Sequence, residues 1–434
     1  MRPVCVKGGG GLTACFACAV LVWAGGSLAR AAEIAEAPLI IHQIAPDPVD
    51  PDRFYAITSN MGVLTSRDGG RQWSHANRGL RSFTHHALIA VLPTQAGQPI
   101  LLAGGWGGGV SISRDRAATW NEVTGDLANT AVDALAVDPS DASQWFAATS
   151  TGVFRSADGG GHWEPFSEGL PPLSEAVGYK SLAVEPRPSG RIWLGTEGGL
   201  FRRGLGASRW AADPDLGSAR VTTVVHDPRN SRVYVGTIKQ GIYVGSGRGW
   251  QRVGDPGWFV SRIVVHPRAA SRVYAATRGA GVFVSDDAGA VWATLGKGLA
   301  DADVRSLAVH PAKPSRLAAG TTASGIYYSH DGGASWRAAG RVQRLTMSQM
   351  IAMLTPAAPR PDAPPVPAAF AKCNRCHGWT DGRLNAKHTY WRVPPNVRNW
   401  GPTVDRMAAR AELTGEERMD LTRFLTAYSG AAAP

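Results

Sequence analysis

Short stretches of alternating apolar and polar residues recur along the chain from about residue 38 to about residue 341. In each unit, one such stretch ends in an Asp-Pro or His-Pro turn, as at 134–139. A Val/Tyr/Ala-rich stretch follows, as at 272–277, and then a Gly-Val-Phe stretch, as at 281–284. Period-two alternation between turn residues is typical of β-strands. The pattern predicts units of four short strands and a mainly β fold.

A motif of the form S-x-D-x-G-x-x-W recurs within these units. It occurs at 66–73, 156–163, 285–292 and 329–336, and a fifth copy at 113–120 has Ala117 at the glycine position. We expect the aspartate to accept hydrogen bonds from backbone N–H groups of a tight turn, and the glycine to permit positive φ. The tryptophan should begin the next strand and bury its ring between units. We therefore interpret the motif as scaffold, not as a calcium site or a catalyst.

Two further units keep the strand pattern without the motif and end in Trp210 and Trp250. The seven unit tryptophans are separated by 40 to 47 residues, by subtraction of positions 73, 120, 163, 210, 250, 292 and 336. Four-stranded units of this period are typical of β-propeller blades. We predict a seven-bladed β-propeller over residues 38–345. The motif resembles the Asp-box (BNR) repeat of sialidases, sortilin-type receptors and photosystem II assembly-factor-like propellers.

The first 31 residues have the order of a secretory signal. Arg2 and Lys7 precede an apolar run at 12–24, and Ala29-Arg30-Ala31 supplies a small-x-small cleavage site. The run is shorter than the roughly 20 residues that a membrane-spanning helix needs. We expect a periplasmic or secreted protein with no transmembrane segment after signal cleavage.

The formal net charge of the chain is +11, and loss of Arg2, Lys7 and Arg30 with the signal leaves +8. The basic residues are dispersed and do not form dense runs interleaved with aromatic residues, so nucleic-acid binding is not predicted. A moderately basic surface favours electrostatic steering toward an acidic protein partner. Of the five cysteines, only Cys373 and Cys376 follow the signal. We therefore expect no structural disulfide.

Proline and alanine dominate residues 355–369, which indicates an extended linker, assigned to 346–366, before a second domain at 367–434. In that domain, Cys373-Asn374-Arg375-Cys376-His377 has the C-x-x-C-H order of c-type haem attachment. The two thiols would form thioethers with the haem vinyl groups, and His377 would be the proximal iron ligand. A thiol redox pair does not need the histidine, and a zinc site would need a second ligand pair, which is not found nearby. The motif predicts one covalently attached haem c.

The segment 367–434 resembles small class I-like cytochrome c domains. Phe370 stands three residues before Cys373, where these domains place an apolar residue on their first helix, and 414–428 has the pattern of a capped amphipathic helix. The resemblance implies a small all-α domain. Within it, 400–407 resembles the W-x-x-x-V-x-x-M segment of short haem domains fused to other periplasmic modules, which implies Met407 as the sixth iron ligand. His388 or Met419 could fill that position instead, with Met407 packing against the porphyrin edge.

These features favour a periplasmic c-type cytochrome that transfers single electrons, with a propeller that docks a periplasmic redox protein or dehydrogenase. A first alternative is a haem-linked oxidoreductase whose propeller holds the substrate site. A second is an assembly or scaffold factor with a redox-sensing haem. Glycoside cleavage is a weaker hypothesis, because no Arg-Ile-Pro tripeptide of the sialidase type occurs and paired carboxylates meet only in three dimensions.

Overall fold

The computed structural model describes residues 39–342, except for 60, 81–84, 92–97, 106–108, 124–126, 128–129, 172–178, 246–248 and 300. This part of the chain forms 28 strands in seven antiparallel four-stranded sheets. Every sheet is made from four consecutive strands, so each predicted unit is one blade. The prediction of a mainly β, seven-bladed propeller is confirmed. The predicted signal (1–31), linker (346–366) and all-α cytochrome c domain (367–434) lie outside the described residues.

The blades follow one another along the chain. Blade 1 comprises β1 (Ile41–Pro46), β2 (Phe54–Thr58), β3 (Val63–Ser66) and β4 (Ser74–His75). Blade 2 comprises β5 (His85–Val91), β6 (Ile100–Gly105), β7 (Val110–Ser113) and β8 (Asn121–Val123). Blade 3 comprises β9 (Val132–Asp138), β10 (Asp141–Thr149), β11 (Gly152–Ser156) and β12 (Glu164–Pro165). Blades 4 and 5 comprise β13 (Tyr179–Val184), β14 (Arg191–Thr196), β15 (Gly199–Gly204), β16 (Ala211–Ala212); β17 (Val221–Asp227), β18 (Arg232–Thr237), β19 (Ile242–Gly245), β20 (Trp250–Val253). Blades 6 and 7 comprise β21 (Val260–Val265), β22 (Val273–Thr277), β23 (Gly281–Ser285), β24 (Ala293–Thr294); β25 (Val304–Val309), β26 (Leu317–Thr321), β27 (Ile326–Ser329), β28 (Arg337–Ala338).

The first strand of each blade lies nearest the propeller axis. These strands (β1, β5, β9, β13, β17, β21 and β25) contact one another in a closed ring. Because the strands within a blade run alternately up and down, the turns after first and third strands share one face of the disc, which we name the turn face. The turns after second strands and the connections between blades share the opposite face, the hairpin face.

The core of the described part of the chain consists of seven hydrophobic clusters, each formed by two neighbouring blades. Several unit tryptophans reach across a junction, as the sequence predicted. The indole Nε1 of Trp120 donates to Ala76 O at 2.7 Å, and that of Trp336 donates to Leu295 O at 2.9 Å. In both cases the acceptor directly follows the last strand of the preceding blade. The indole ring is therefore packed between two blades, and its N–H group has a hydrogen-bond acceptor there.

Side chains and backbone of blades 1 and 7 close the ring without exchanging a strand. Leu39 and Ser324 form a parallel bridge, and Ile44 N donates to Ser306 Oγ at 2.8 Å. On the turn face, His310 Nε2 contacts Asp50 O at 2.8 Å. Within the described part of the chain, no helix has the length and apolar character needed to cross a bilayer.

Candidate functional site

The predicted haem residues Cys373, Cys376, His377 and Met407 lie outside the described residues, so their assignment stays a prediction from the sequence. Among the described residues, 39–342 with the gaps given above, no group of three or more His, Cys, Asp or Glu side chains could hold a metal ion. The propeller offers three candidate functional surfaces: its Asp-box turns, its turn face and an open cleft between blades 3 and 4.

The five Asp-box turns have the predicted geometry. In the copy of blade 7, Ser329 Oγ donates to Asp331 Oδ1 at 2.7 Å and accepts from Gly333 N at 2.9 Å. Asp331 Oδ1 also accepts from Ser335 N at 2.9 Å. The same Ser-to-Asp bond recurs in the four other copies. These carboxylates are engaged by their own turns, which is the property of a scaffold.

Hydrogen bonds also favour the ionised form of two of these aspartates, Asp331 and Asp287. The side chain and backbone of Ser335, with Ser329, lower the pKa of Asp331 to about 2. The hydroxyl of Ser285 and the amide of Val291 likewise lower the pKa of Asp287. Among the described carboxyl groups, each one whose pKa departs from its ordinary value has a lowered pKa, whereas a general acid for glycoside cleavage needs a raised pKa.

In blades 1, 3, 5, 6 and 7, the turn between the first and second strands is capped by a side chain that precedes a proline. Asp47 is fully buried, and its Oδ1 accepts from Val49 N and Asp50 N at 3.0 and 2.9 Å. Asp138 and Asp227 cap their turns in the same way. In blade 6 the cap is a histidine, and His266 Nδ1 accepts from the amide two residues on at 3.1 Å. The sequence showed these Asp-Pro and His-Pro pairs as turns but did not show that their side chains are acceptors.

Arginines of the same turns reach from one blade to the next. Arg229 Nη1 donates to His266 O, Arg268 Nη2 donates to Ala312 O at 2.6 Å, and Arg316 Nη1 donates to Pro51 O at 2.8 Å. These contacts join blades 5 to 6, 6 to 7 and 7 to 1 on the turn face. These contacts are not predicted from the sequence; the local signal is an arginine directly after Pro186, Pro228 and Pro267 and close to the start of several second strands.

Charge is unevenly distributed around these first turns. The turns of blades 4 to 7 span 185–191, 227–232, 266–272 and 310–316 and contain eight Arg or Lys residues and two carboxylates. Both carboxylates, Glu185 and Asp227, are buried. The turns of blades 1 and 3, at 47–53 and 138–144, contain five aspartates and one arginine. We name the first turns of blades 4 to 7 the basic arc; Arg232 and Lys313 are exposed members of it.

An open cleft of about 950 Å³ lies between blades 3 and 4. Phe201 of β15 lines the cleft and is buried. Thr196 also lines it and is fully buried, and its hydroxyl donates to Gly199 O at 2.9 Å. Glu168 and Arg209 form an exposed ion pair at 3.6 Å across the rim. The remaining lining residues are Pro165, Ser167, Gly169, Leu170, Pro171, Gly198 and Gly217.

The backbone around this cleft is fixed by close packing. Gly169 has a φ of +90°, and a Cβ atom on it would lie 2.5 Å from Trp210 O. Trp210 N donates to Glu168 O at 2.8 Å, and the Trp210 ring packs edge-on against Phe166. The Arg203 guanidinium stacks 3.5 Å from the centre of the Phe166 ring. The cleft is thus preformed, with one carboxylate and one cation at its rim.

Comparison with known proteins supports the fold. The family model of the BNR/Asp-box repeat matches residues 327–338. No curated protein matches the chain. The GH74 xyloglucanase from Xanthomonas campestris is similar to this chain with 18% identity and a TM-score of 0.57, over 69% of this chain and 54% of the enzyme. A GH74 enzyme from Niastella koreensis gives 21% identity and a TM-score of 0.55 over 69% and 54% of the two chains.

YCF48 bound to a D1 peptide is also similar, with 14% identity and a TM-score of 0.51 over 68% of this chain and 94% of that one. This chain therefore spans about half the length of the two GH74 proteins and nearly all of YCF48. At these identities the likeness concerns the fold, a propeller that occurs both in enzymes and in a peptide-binding protein.

Proposed function

We propose that this protein is an exported electron-transfer protein in which the propeller docks an acidic protein partner and a C-terminal haem c exchanges single electrons with it. The observation that carries the docking half is the basic arc, which contains eight cations and two buried carboxylates. Three of these cations, Arg187, Arg272 and Arg316, also pair with carboxylates outside the arc. Complementary charge steers association and sets the orientation of the encounter more than it adds affinity. The likeness to YCF48, which is bound to a peptide in its own structure, supports a propeller that binds protein.

The electron-transfer half rests on the C-x-x-C-H sequence at 373–377. Thioether attachment would retain the haem in an exported protein, His377 would hold the iron from one side, and Met407 from the other. Soft sulfur ligation favours ferrous iron and raises the reduction potential. With both axial positions filled, the haem would supply electron transfer and no bond chemistry of its own.

A pair of charge-matched variants tests the docking half. Arg232→Gln with Lys313→Gln removes two exposed charges from the basic arc, whereas Lys239→Gln with Lys297→Gln removes two exposed charges from the hairpin face. The measurement is the rate of haem reduction by the dialysed periplasmic fraction of the source cells at about 20 and 200 mM salt. We expect the arc variant to be reduced about tenfold more slowly at low salt and to lose its salt dependence. Equal rates in the two variants would remove the basic arc from the proposal.

The haem half has a separate test. Mature protein made in cells with a working cytochrome c maturation system should be coloured and should retain haem after denaturation, and Cys373→Ala with Cys376→Ala should be colourless. Colourless wild-type protein would leave a propeller that binds a partner without electron transfer. The two halves can therefore fail independently.

A further inference from the structure

The hydroxyl groups that line the cleft between blades 3 and 4 already have partners within the propeller. The Thr196 hydroxyl donates to Gly199 O at 2.9 Å and accepts from Gly198 N at 3.0 Å. The Ser167 hydroxyl accepts from Val153 N at 2.8 Å. A ligand inside the cleft would therefore meet no unpaired hydroxyl group, and apolar contact would be its main source of binding energy.

The cleft presents apolar surface to solvent beside one pair of opposite charges. Pro165 is exposed, and Leu170 and Pro171 are half-buried. Among the lining residues the charged ones are Glu168 and Arg209, whose side chains are each 69% exposed. Such an exposed ion pair contributes little to stability, so both groups are available to a ligand. The cleft therefore fits an extended apolar ligand that carries a cation and an anion close together.

The chain itself contains a segment of this chemistry, at 356–367, outside the described residues. Prolines recur there at every third position, at Pro361, Pro364 and Pro367. A polyproline II helix has three residues per turn, so these prolines would share one edge. Segments of this kind dock in grooves with aromatic walls and lose little conformational entropy. Arg360 and Asp362, on either side of Pro361, supply one positive and one negative charge.

The segment is long enough to reach the cleft of its own propeller. The chain leaves β28 of blade 7 at the hairpin face, which also holds the turn after β14 and the connection between blades 3 and 4. These two stretches supply most of the cleft lining. Neighbouring strands lie about 4.8 Å apart, so two opposite blades and the central channel span roughly 45 Å. Residues 343–359 are 17 positions, by subtraction of 342 from 359, and would reach about 53 Å as polyproline II.

We propose that residues 356–367 of this chain dock in the cleft between blades 3 and 4 of its own propeller. The proline edge packs on the apolar wall of the cleft. Arg360 pairs with Glu168, and Asp362 pairs with Arg209. Because the segment is tethered, its effective concentration at the cleft is in the millimolar range, and weak contacts suffice to hold it. The docking is independent of the haem and of the basic arc, and it fixes the point from which the chain leaves the propeller.

Carbodiimide coupling, which joins an amine to a nearby carboxylate, tests both ion pairs in the mature protein. Arg360→Lys supplies an amine for the Glu168 carboxylate, and Arg209→Lys supplies one for Asp362. Both substitutions keep the charge, and the coupled peptides are quantified by mass spectrometry after proteolysis. At about 20 mM salt we expect each coupling to exceed its control by about tenfold, and to fall at about 500 mM salt.

Each coupling has a matched control. For Arg360→Lys it is coupling to Asp286 of blade 6, another ion-paired carboxylate, whose side chain is 63% exposed. For Arg209→Lys it is the coupling of Asp362 in Arg232→Lys, an exposed arginine of the turn face. If neither coupling exceeds its control, the proposal is wrong.

Isotope labelling identifies whose cleft is occupied. An equal mixture of ¹⁵N-labelled and unlabelled protein is coupled, and the label content of each joined peptide pair is measured. We expect pairs in which both peptides are labelled or both are unlabelled, because the segment docks in its own propeller. Pairs with one labelled and one unlabelled peptide would assign the cleft to a second copy of the chain and would also overturn the proposal.

Discussion

His310 provides a sharp test of how the propeller closes. Its side chain is fully buried, Nδ1 accepts from Ala312 N at 3.2 Å, and Nε2 donates to Asp50 O of blade 1 at 2.8 Å. Both contacts require the neutral imidazole with its proton on Nε2. His310 thus caps its turn in blade 7 as Asp47 caps the equivalent turn in blade 1, and it also forms a hydrogen bond across the closing junction.

The structure sets the sign and size of the effect. Burial lowers the pKa of His310, although Asp50 and Asp47 partly oppose this shift. A lowered pKa means that the unfolded chain binds the proton more readily, so stability is complete above a pH of about 6.5 and is lost as the pH falls below it. Each pH unit by which the pKa in the folded protein lies below that in the unfolded chain contributes about 1.4 kcal/mol to the free energy of unfolding. His310→Ala removes two hydrogen bonds and a buried ring that packs on Phe54, and should cost about 2–4 kcal/mol.

The informative variant is His310→Asn, because an amide oxygen can still accept from Ala312 N but does not titrate. Urea unfolding between pH 7.5 and 5 should show a smaller loss of stability in this variant than in the wild type. His162→Asn is the control, since that imidazole is 95% exposed and its contact with Asp158 at 2.7 Å lies at the surface, where solvent screens it. Burial also lowers the pKa of His266, which is present in the wild type and in both variants. The quantity to compare is therefore the difference in pH dependence between these three proteins. Equal pH slopes for wild type and His310→Asn would refute the reasoning.

Three further results are expected. Gly332→Ala should lower the free energy of unfolding in urea by about 1 kcal/mol, because the glycine has a φ of +75°. Gly160→Ala should lower it by at least about 1 kcal/mol more, because the added Cβ would also lie 2.5 Å from Trp145. Equal losses in the two variants would contradict this packing. Asp331→Asn should reduce the dependence of the free energy of unfolding on pH below about pH 4. The lowered pKa of Asp331 means that its carboxylate stabilises the fold above about pH 4, and this stabilisation is lost as the pH falls toward 2. Met407→Ala should lose the near-infrared sulfur-to-iron band and lower the haem potential; an unchanged spectrum would shift the ligand assignment to His388 or Met419.

The repeat could be predicted because its signals are local. Each Asp-box places its serine, aspartate and tryptophan within eight residues, and the hydrogen bonds of the serine and the aspartate are made within one turn. Ala117 broke the pattern at the glycine position, yet the structure gives it a φ of +66°, so the turn tolerates the exception. Blades 4 and 5 were recognised without the motif because their strands keep the alternation and their tryptophans keep the spacing.

The candidate sites of the propeller could not be predicted in this way. Glu168 and Arg209 of the cleft are 41 positions apart by subtraction, and nothing in their neighbourhoods distinguishes them from other surface charges. The basic arc is split over four turns, each of which alone has an ordinary composition. Only the alternation of strand direction places those four turns on one face.

The amino-acid sequence alone determined the blade, its turns and the number of blades, because each of these depends on contacts within about 45 residues of chain. The tertiary structure decided what happens at the blade junctions. His310 meets Asp50 across 260 positions, and Ser306 meets Ile44 across 262. Closure of the ring brings these residues together, and no repeated sequence pattern indicates which of them will meet.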